Sequence, residues 1–232
     1  LMHNSAVIAV SLVVREGGID QTLASEIFAG KRRIQGHLVA QSLCVNVGIE
    51  FASQLSGERI IRIAVHPDLQ QQGFGKHLLN QLINTLESDY LSSSFGVTVP
   101  VLDFWQGAGF LPVYLGMKRD ASSGTHSVIM LRGTTAIGVQ LQHQASSIFS
   151  KSFPQLLSDP LKHLETDIAL ALLPQQVKLK QSPEDIRSLK AFAKYHRGYE
   201  NSLYLIWDLV CQELPKNNSL KTTEKRILML KV

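Results

Sequence analysis

The chain has 232 residues, of which 44% are hydrophobic, and a net charge of +4. This length and hydrophobic content are enough for one large or two small domains and exclude a disordered tail. The longest apolar run, residues 6–14, is far shorter than the roughly 20 residues of a membrane helix, so neither a membrane span nor a signal peptide is expected. Cys44 and Cys211 match no disulfide or metal spacing, which predicts a reduced, cytoplasmic protein without a metal site.

The chain opens on a predicted strand and a short helix. Residues 6–14 are a continuous run of mostly β-branched residues, which predicts a strand buried on both faces and ended by Gly17-Gly18. Asp20 is a favourable N-cap for a helix over residues 20–28. The first residue is Leu1 rather than methionine, and the strand follows it closely, so we expect the chain to be part of a longer protein.

A second strand and a helix flank a turn that contains glycine. Residues 59–65 predict a strand that stops at His66-Pro67, because proline cannot donate to a central ladder. Residues 73–86 carry leucine and isoleucine at spacings of three and four, which predicts an amphipathic helix. Shorter predicted elements follow: a strand at 90–95, a helix at 102–107 and closing strands at 111–117 and 126–131. This alternation predicts an α/β domain with a mixed sheet over residues 1–133.

The second part of the chain, residues 134–232, lacks strand signals and predicts a helical subdomain. Ser182-Pro183 is a strong helix start, and another helix runs from Leu203 to Pro215. This part has thirteen Lys and Arg against nine Asp and Glu, whereas residues 1–133 have ten of each. The excess predicts either an RNA surface or a solvated helical face. Its predicted helices and end carry Lys178, Lys180, Arg187, Lys190, Lys194, Arg197, Lys216, Lys221, Lys225 and Arg226.

The turn between the second strand and its helix has the features of a phosphate-binding site. It contains Gly73 and Gly75, and free N–H groups at the start of the following helix attract phosphate oxygens. A P-loop is excluded because His77 follows Lys76 where serine or threonine is required. A dinucleotide fingerprint lacks its third glycine, since Leu78 stands there. A third type of diphosphate-binding turn remains.

That third type consists of a hydrophobic strand, Val-x-Pro and then Gln-x-x-Gly-x-Gly, and it resembles the coenzyme A motif of the GCN5-related N-acetyltransferases. The residues that fill it are Val65, Pro67, Gln70, Gly73 and Gly75. Residues 102–110 resemble a later helix-to-strand element of the same superfamily. Where that superfamily often has a tyrosine that protonates the departing thiolate, this chain has Trp105, whose indole N–H does not give up its proton.

The chain also resembles the C-terminal part of the bacterial tRNA(Met) cytidine acetyltransferases, a family that makes N4-acetylcytidine at the wobble position. The similar segments are 36–43, 59–76, 89–92, 94–96, 104–106 and 119–124. The resemblance implies an acetyltransferase fold at residues 1–133 and a tRNA-binding tail at 134–232. In that family an ATP-dependent module precedes the acetyltransferase domain. This chain has no Walker motif, so we expect that module to be absent from it. The implied reaction is acetyl transfer from acetyl-CoA to the N4 amine of the wobble cytidine of tRNA(Met).

The same resemblance implies where acetyl-CoA binds. The pantetheine arm is expected along the second strand, with the Val65 N–H facing the developing oxyanion, and losing such a donor typically costs on the order of 10²-fold or more in rate. The diphosphate is expected on the amides of the turn. The expected cofactor-binding residues are Ile63, Ala64, Val65, Gln70, Gln71, Gln72, Gly73, Phe74, Gly75 and Lys76. The family has an acidic residue in place of Pro100 and a basic one in place of Gly107, both close to the coenzyme, so weaker binding is expected here.

No catalytic residue is assigned from the sequence. The cytosine N4 amine is unprotonated at neutral pH, and solvent can remove the proton that the tetrahedral adduct must lose. His66 is a candidate base but is more simply a turn histidine, and Asp103 is more simply a helix-start charge. Tyr114 could replace the absent phenol from the next strand, although a core or interface aromatic is the simpler interpretation.

Two basic groups are candidates for RNA binding. Lys31, Arg32 and Arg33 form a basic run suited to RNA phosphates or the coenzyme's 3′-phosphate, and Arg119 is a second candidate; each is equally explained as a solvated surface charge. Two other functions remain open. One is an N-acetyltransferase for a protein or small amine, and the other is a non-catalytic RNA-binding fragment with a degenerate cofactor loop.

Overall fold

The protein is represented by a computed structural model that describes residues 1–3, 6–121, 123–173, 183–194 and 202–213. The chain divides into two compact units, Leu1–Phe149 and Ser150–Val232. The division falls inside one long helix, Ala136–Leu157. The predicted boundary after Gly133 corresponds to the end of the last strand.

The first unit alternates strands and helices. In chain order its elements are β1 (Met2–His3), β2 (Ala6–Val7), β3 (Ala9–Gly17), α1 (Gln21–Phe28), α2 (Leu38–Val45), β4 (Ser56–Val65), α3 (Phe74–Thr85), β5 (Tyr90–Gly96), α4 (Val99–Gln106), β6 (Leu111–Arg119), β7 (His126–Gly133) and the first part of α5 (Ala136–Leu157). Short 3-10 helices lie at Glu50–Ser53 and Pro67–Leu69. The Asp20 carboxylate accepts the Leu23 N–H at 3.0 Å, which confirms the predicted cap of α1.

The central sheet has the strand order β3-β4-β5-β7-β6. Strands β4 and β5 are parallel, and every other neighbouring pair in this order is antiparallel. The short strands β1 and β2 form a separate two-stranded ladder. This arrangement confirms the predicted α/β fold with a mixed sheet.

Helices cover both faces of the sheet. On one face, Val39 of α2 and Leu141 of α5 share a buried cluster with Tyr90, Ile129 and Leu131. Phe95 is five positions after Tyr90 on β5 and therefore points to the opposite face. There it stacks on Trp105 of α4, with ring centroids 5.8 Å apart. The cluster formed with α2 and α5 is therefore a buried core on one face of the sheet.

Three features of the first unit differ from the sequence prediction. The first strand is not buried on both faces, because β3 is the edge strand of the sheet, and Val10 and Leu12 are 56% and 57% exposed. Helix α2 is not predicted, since its residues are apolar on most sides and its N-cap, His37, makes no side-chain capping hydrogen bond. Helix α4 begins at Val99 rather than Leu102, because Pro100 occupies its first turn.

The described part of the second unit is helical. Besides the end of α5, it contains α6 (Thr166–Leu172), α7 (Pro183–Lys194) and α8 (Leu203–Glu213), and α7 contacts α8. Helix α7 begins at Pro183, as predicted. Within the described ranges, no helix is both long and apolar enough to cross a membrane.

Candidate functional site

The parallel strands β4 and β5 separate partway along their length. Their pairing runs from Gly57 opposite Tyr90 to Ile60 opposite Ser93, and the Ser93 hydroxyl donates to the Ile60 carbonyl at 3.0 Å. Beyond this point residues 61–65 of β4 have no partner on the β5 side among the described residues. Their other edge stays paired with β3. The strands therefore leave a gap, bounded on one side by a free strand edge.

The backbone of Val65 points into this gap. The His66 N–H donates to the Ile8 carbonyl beside β3 at 2.8 Å, and Ala9, opposite Val65, instead bonds to Leu1 through both its N–H and its carbonyl. Since backbone groups alternate along a strand, Val65 faces away from β3. Its carbonyl accepts the Gln70 side-chain amide at 3.2 Å, while its N–H remains available to a ligand.

The turn after β4 presents backbone N–H groups to solvent. Gln71 has φ of 59° and Gly73 has φ of 88°, both in the left-handed region, and the Gln72 side chain closes the turn on the Asp68 carbonyl at 3.0 Å. No described residue accepts a hydrogen bond from the backbone N–H groups of residues 71–76. A Cβ added at Gly73 would meet no atom within 4 Å. Such a row of amides at a helix N-terminus can hold an anion.

Aromatic residues of α4 close the gap on the α3 side. A Cβ at Gly75 would lie 3.3 Å from the Phe104 ring and 3.5 Å from the Val65 side chain, so Gly75 lies in close contact with both groups, and a side chain here would require the Phe104 ring to shift slightly. Trp105 is 3% exposed and contacts both Phe104 and Phe110 edge-on. The residue at the expected general-acid position is therefore a packed core aromatic.

The structure does not bring the titratable candidates together. His66 lies at the end of β4 with its Nδ1 3.8 Å from the Asp68 carboxylate, and its side chain is 53% exposed. Asp103 is exposed on α4. Tyr114 lies on β6, which β7 and β5 separate from the gap, and burial raises the pKa of its phenol. That separation, about 10 Å from β5 at the usual strand spacing, prevents Tyr114 from reaching the gap directly.

The basic candidates lie in three places, which are the segment after α1, the end of β6 and helix α7. Lys31, Arg32 and Arg33 follow α1, where Arg32 pairs with Glu26 at 3.1 Å and Arg33 lines a surface cavity of about 390 Å³ beside α2. Arg119 ends β6 and donates to the Gly124 carbonyl at 3.0 Å.

The tail cations fall partly on α7. Arg187, Lys190 and Lys194 are exposed there, at spacings of three and four that place them on one helix face. The other predicted tail positions, Lys178, Lys180, Arg197, Lys216, Lys221, Lys225 and Arg226, lie outside the described residues.

Sequence reasoning missed a buried ion pair that supports the strands. Glu16 of β3 is 1% exposed and accepts the Arg59 side chain of β4 at 2.5 Å. The same carboxylate accepts the Val39 N–H at the start of α2 at 2.7 Å. A charged residue inside an otherwise apolar strand was the available signal, but its partners are distant in sequence.

Comparison with known proteins gives a family and several relatives. The profile of the family described as GNAT acetyltransferase 2 matches residues 3–88 and 83–135. A tRNA(Met) cytidine acetyltransferase TmcA of Nitrosococcus halophilus is 38% identical over 241 residues, covering 100% of this chain and 32% of the relative. The protein of the same name from Vibrio cholerae is 37% identical over 209 residues, covering 90% of this chain and 29% of the relative.

The chain thus spans about a third of the length of the curated relatives it matches. Among solved structures, the apo form of an agmatine N-acetyltransferase mutant has 16% sequence identity and a TM-score of 0.37, covering 57% of this chain and 73% of that one.

Proposed function

Because this chain belongs to the GNAT acetyltransferase 2 family, we propose that it binds acetyl-CoA at the β4–β5 gap and transfers the acetyl group to the N4 amine of the wobble cytidine of tRNA(Met). The main support for acetyl-CoA binding is the free edge of β4, which leads directly into a turn whose backbone N–H groups have no acceptor among the described residues. The curated relatives named for tRNA(Met) cytidine acetylation support the acceptor.

The free edge of β4 suits an extended ligand with amide groups. Ile63 and Val65, two positions apart, direct their backbone N–H and carbonyl groups into the gap, as a strand does towards an added neighbour. The Val65 carbonyl is occupied by Gln70, so the Val65 N–H is the donor we assign to the thioester carbonyl. Charge that develops on that oxygen during attack is stabilised by such a fixed donor.

The turn suits the coenzyme's diphosphate. The left-handed backbone of Gln71 and Gly73 turns successive N–H groups towards one side, and α3 adds the positive end of its dipole. Lys76 in the first turn of α3 supplies a further positive charge. The open space at Gly73 is what a bound phosphate requires.

The chemistry needs little from titratable side chains. The cytosine N4 amine is a neutral nucleophile, so solvent can accept the proton that the adduct releases. Trp105 is packed among aromatic rings, and we therefore assign protonation of the departing thiolate to solvent rather than to this residue. His66 and Asp103 receive no role.

The whole reaction is proposed to need sequence beyond this chain. The relatives are about three times as long, and a wobble base must be unstacked before a thioester can reach it. We propose that an ATP-dependent module elsewhere in a longer cytoplasmic protein supplies that step. Acetylation of tRNA(Met) by these 232 residues alone is therefore expected to be weak and independent of ATP.

Calorimetric titration with acetyl-CoA tests the proposed site. Wild-type chain should bind, and Gly73→Val should abolish binding because its side chain enters the space of the diphosphate. Gly48→Val is the matched control, since Gly48 has φ of 82° and open space around its Cβ but lies far along the chain from the turn. Both variants carry similar backbone strain, and circular dichroism checks their folding.

The outcome distinguishes the proposal from its alternatives. No heat with millimolar acetyl-CoA, together with retained tRNA binding, would favour a non-catalytic RNA-binding fragment. Binding of acetyl-CoA with transfer to lysine or small amines, but not to tRNA(Met) when the longer protein is assayed, would favour a protein or small-amine acetyltransferase.

A further inference from the structure

The two faces of the sheet beside the gap differ in how they are covered. On one face, Val65 packs against α3 and α4, whose Phe104 lies beside Gly75. On the opposite face, the cross-strand pairs Val10–Ala64 and Leu12–Arg62 are exposed. We call these four residues, Val10, Leu12, Arg62 and Ala64, the open face. An acceptor can approach the gap from the open face, because helices block the other one.

Arg62 is the charged group of the open face, and it lacks an acidic partner. Arg15, Arg32 and Arg59 each pair with a carboxylate. The Arg62 guanidinium, by contrast, makes only a 3.4 Å contact to the carbonyl of its neighbour Ile61, and no carboxylate pairs with it in the described parts of the chain. An exposed, unpaired guanidinium is suited to an anionic ligand.

Its position matches an acceptor that carries phosphates. Arg62 precedes Val65 by three residues, or about 10 Å along the strand, so its side chain lies beside the gap rather than in it. Val10 and Leu12 provide an apolar surface of unusual exposure on the same face, 56% and 57%. A guanidinium offers phosphate oxygens a fork of N–H donors, and nucleotide bases make contact with apolar and aromatic side chains.

We propose that the open face holds the acceptor RNA, with Arg62 binding a backbone phosphate of the loop that carries the target cytidine. This inference rests on the proposed function and names the surface that presents its RNA substrate. Arg62 acts as a positioning residue, since its side chain does not point into the gap.

The test measures binding of the anticodon stem-loop of tRNA(Met) to the intact chain over a series of salt concentrations. Arg62→Gln should lower the affinity on the order of tenfold and reduce the slope of log K against log salt by about 0.7, the value for one phosphate on a single strand. Arg62→Lys keeps the charge and should preserve the slope while losing part of the affinity. Lys162→Gln, an exposed charge-matched control in the second unit, should change neither.

Acetyl-CoA titration of the same variants separates this inference from the proposed function. Arg62→Gln should bind acetyl-CoA like the wild type, because its side chain is on the opposite face from α3. An unchanged salt slope in Arg62→Gln, or no RNA binding by the wild-type chain, would overturn the role of the open face even if acetyl-CoA binds. Failure of the wild-type chain to bind acetyl-CoA, with an Arg62-dependent RNA slope, would refute the proposed function alone.

Discussion

Glu16 connects three elements through one carboxylate. It pairs with Arg59 of β4 and accepts N–H groups of Val39 and Ala40 at the start of α2. The N-cap of α2, His37, makes no side-chain capping hydrogen bond of its own. A buried carboxylate is stable only when such partners replace water. The residue that anchors β3 to β4 therefore also starts α2.

Glu16→Gln should destabilise the fold by about 3–5 kcal/mol, because the Arg59 charge would be left largely buried without its partner. Urea unfolding followed by circular dichroism measures the change. Arg32→Gln, which breaks the exposed pair with Glu26, is the control and should cost at most about 1 kcal/mol. Equal effects of the two substitutions would contradict the role given to Glu16.

Tyr90 carries a buried hydroxyl that has no hydrogen-bond partner among the residues that the structure describes. Burial, with smaller contributions from the Glu16 and Asp89 charges, raises the pKa of Tyr90 well above its usual range. An unfolded tyrosine releases its proton near pH 10. The unfolded state is therefore favoured as the pH rises above about 10, and the stability contributed by neutral Tyr90 is lost there.

Tyr90→Phe should leave stability at pH 7 unchanged or raise it by about 1 kcal/mol, because the substitution removes an unsatisfied polar group. The loss of stability between about pH 9 and 11 should become shallower than in the wild type. Thermal unfolding over this pH range checks both expectations, and an alkaline profile identical to that of the wild type would argue against them.

At the level of elements, close backbone approach fixes where α5 meets the sheet. A Cβ at Gly138 would lie 1.6 Å from the Asp89 carbonyl, at the start of β5. The Asp89 side chain accepts the Thr135 hydroxyl at 3.0 Å and the Ser56 N–H at 2.9 Å. The start of α5 is thus tied to β4 and β5 beside the paired end of the two strands.

Gly138→Ala should therefore destabilise the protein by roughly 1–3 kcal/mol, although alanine favours a helix by about 1 kcal/mol over glycine. The sign of the change separates packing from helix propensity. Gln140→Ala, at an exposed position of the same helix, is the control and should have little effect. A stabilised Gly138→Ala variant, measured by urea unfolding, would show that this approach is not required.

At the level of the whole molecule, three of the basic residues of the second part lie on α7. Arg187, Lys190 and Lys194 lie on one exposed face of that helix. A truncation after Gly133 cannot test this surface cleanly, because it would remove Leu141 and Ala145 from the core of the first unit. Substitution within the intact chain avoids that problem.

Replacing Arg187, Lys190 and Lys194 together by glutamine should weaken tRNA binding. If each contacts one phosphate, the slope of log K against log salt should fall by about 2 to 3, at roughly 0.7 to 0.9 per contact. Acetyl-CoA titration of the same variant is the control and should match the wild type. An unchanged slope would show that α7 does not bind the RNA, and Lys31, Arg32 and Arg33 would then be the next candidates.

The sequence by itself determined the elements whose signals are local. Asp20 caps α1, β4 ends just before the Pro67 turn, and α3 begins directly after Gly73, one residue from its predicted start. Each of these features depends on backbone geometry within a few residues. The family resemblance rests on the same segment, since the motif needs those residues in that order.

Only the tertiary structure decided where strands pair and where they part. The separation of β4 from β5 after Ile60, the edge position of β3 and the pairing of Glu16 with Arg59 all join segments tens of residues apart. An apolar run of this length occurs in edge strands as well as in central ones, so the sequence of residues 6–14 does not determine whether both faces of the strand are buried. The gap and the open face arise from the order of the strands in the sheet, and the packing of the whole chain sets that order.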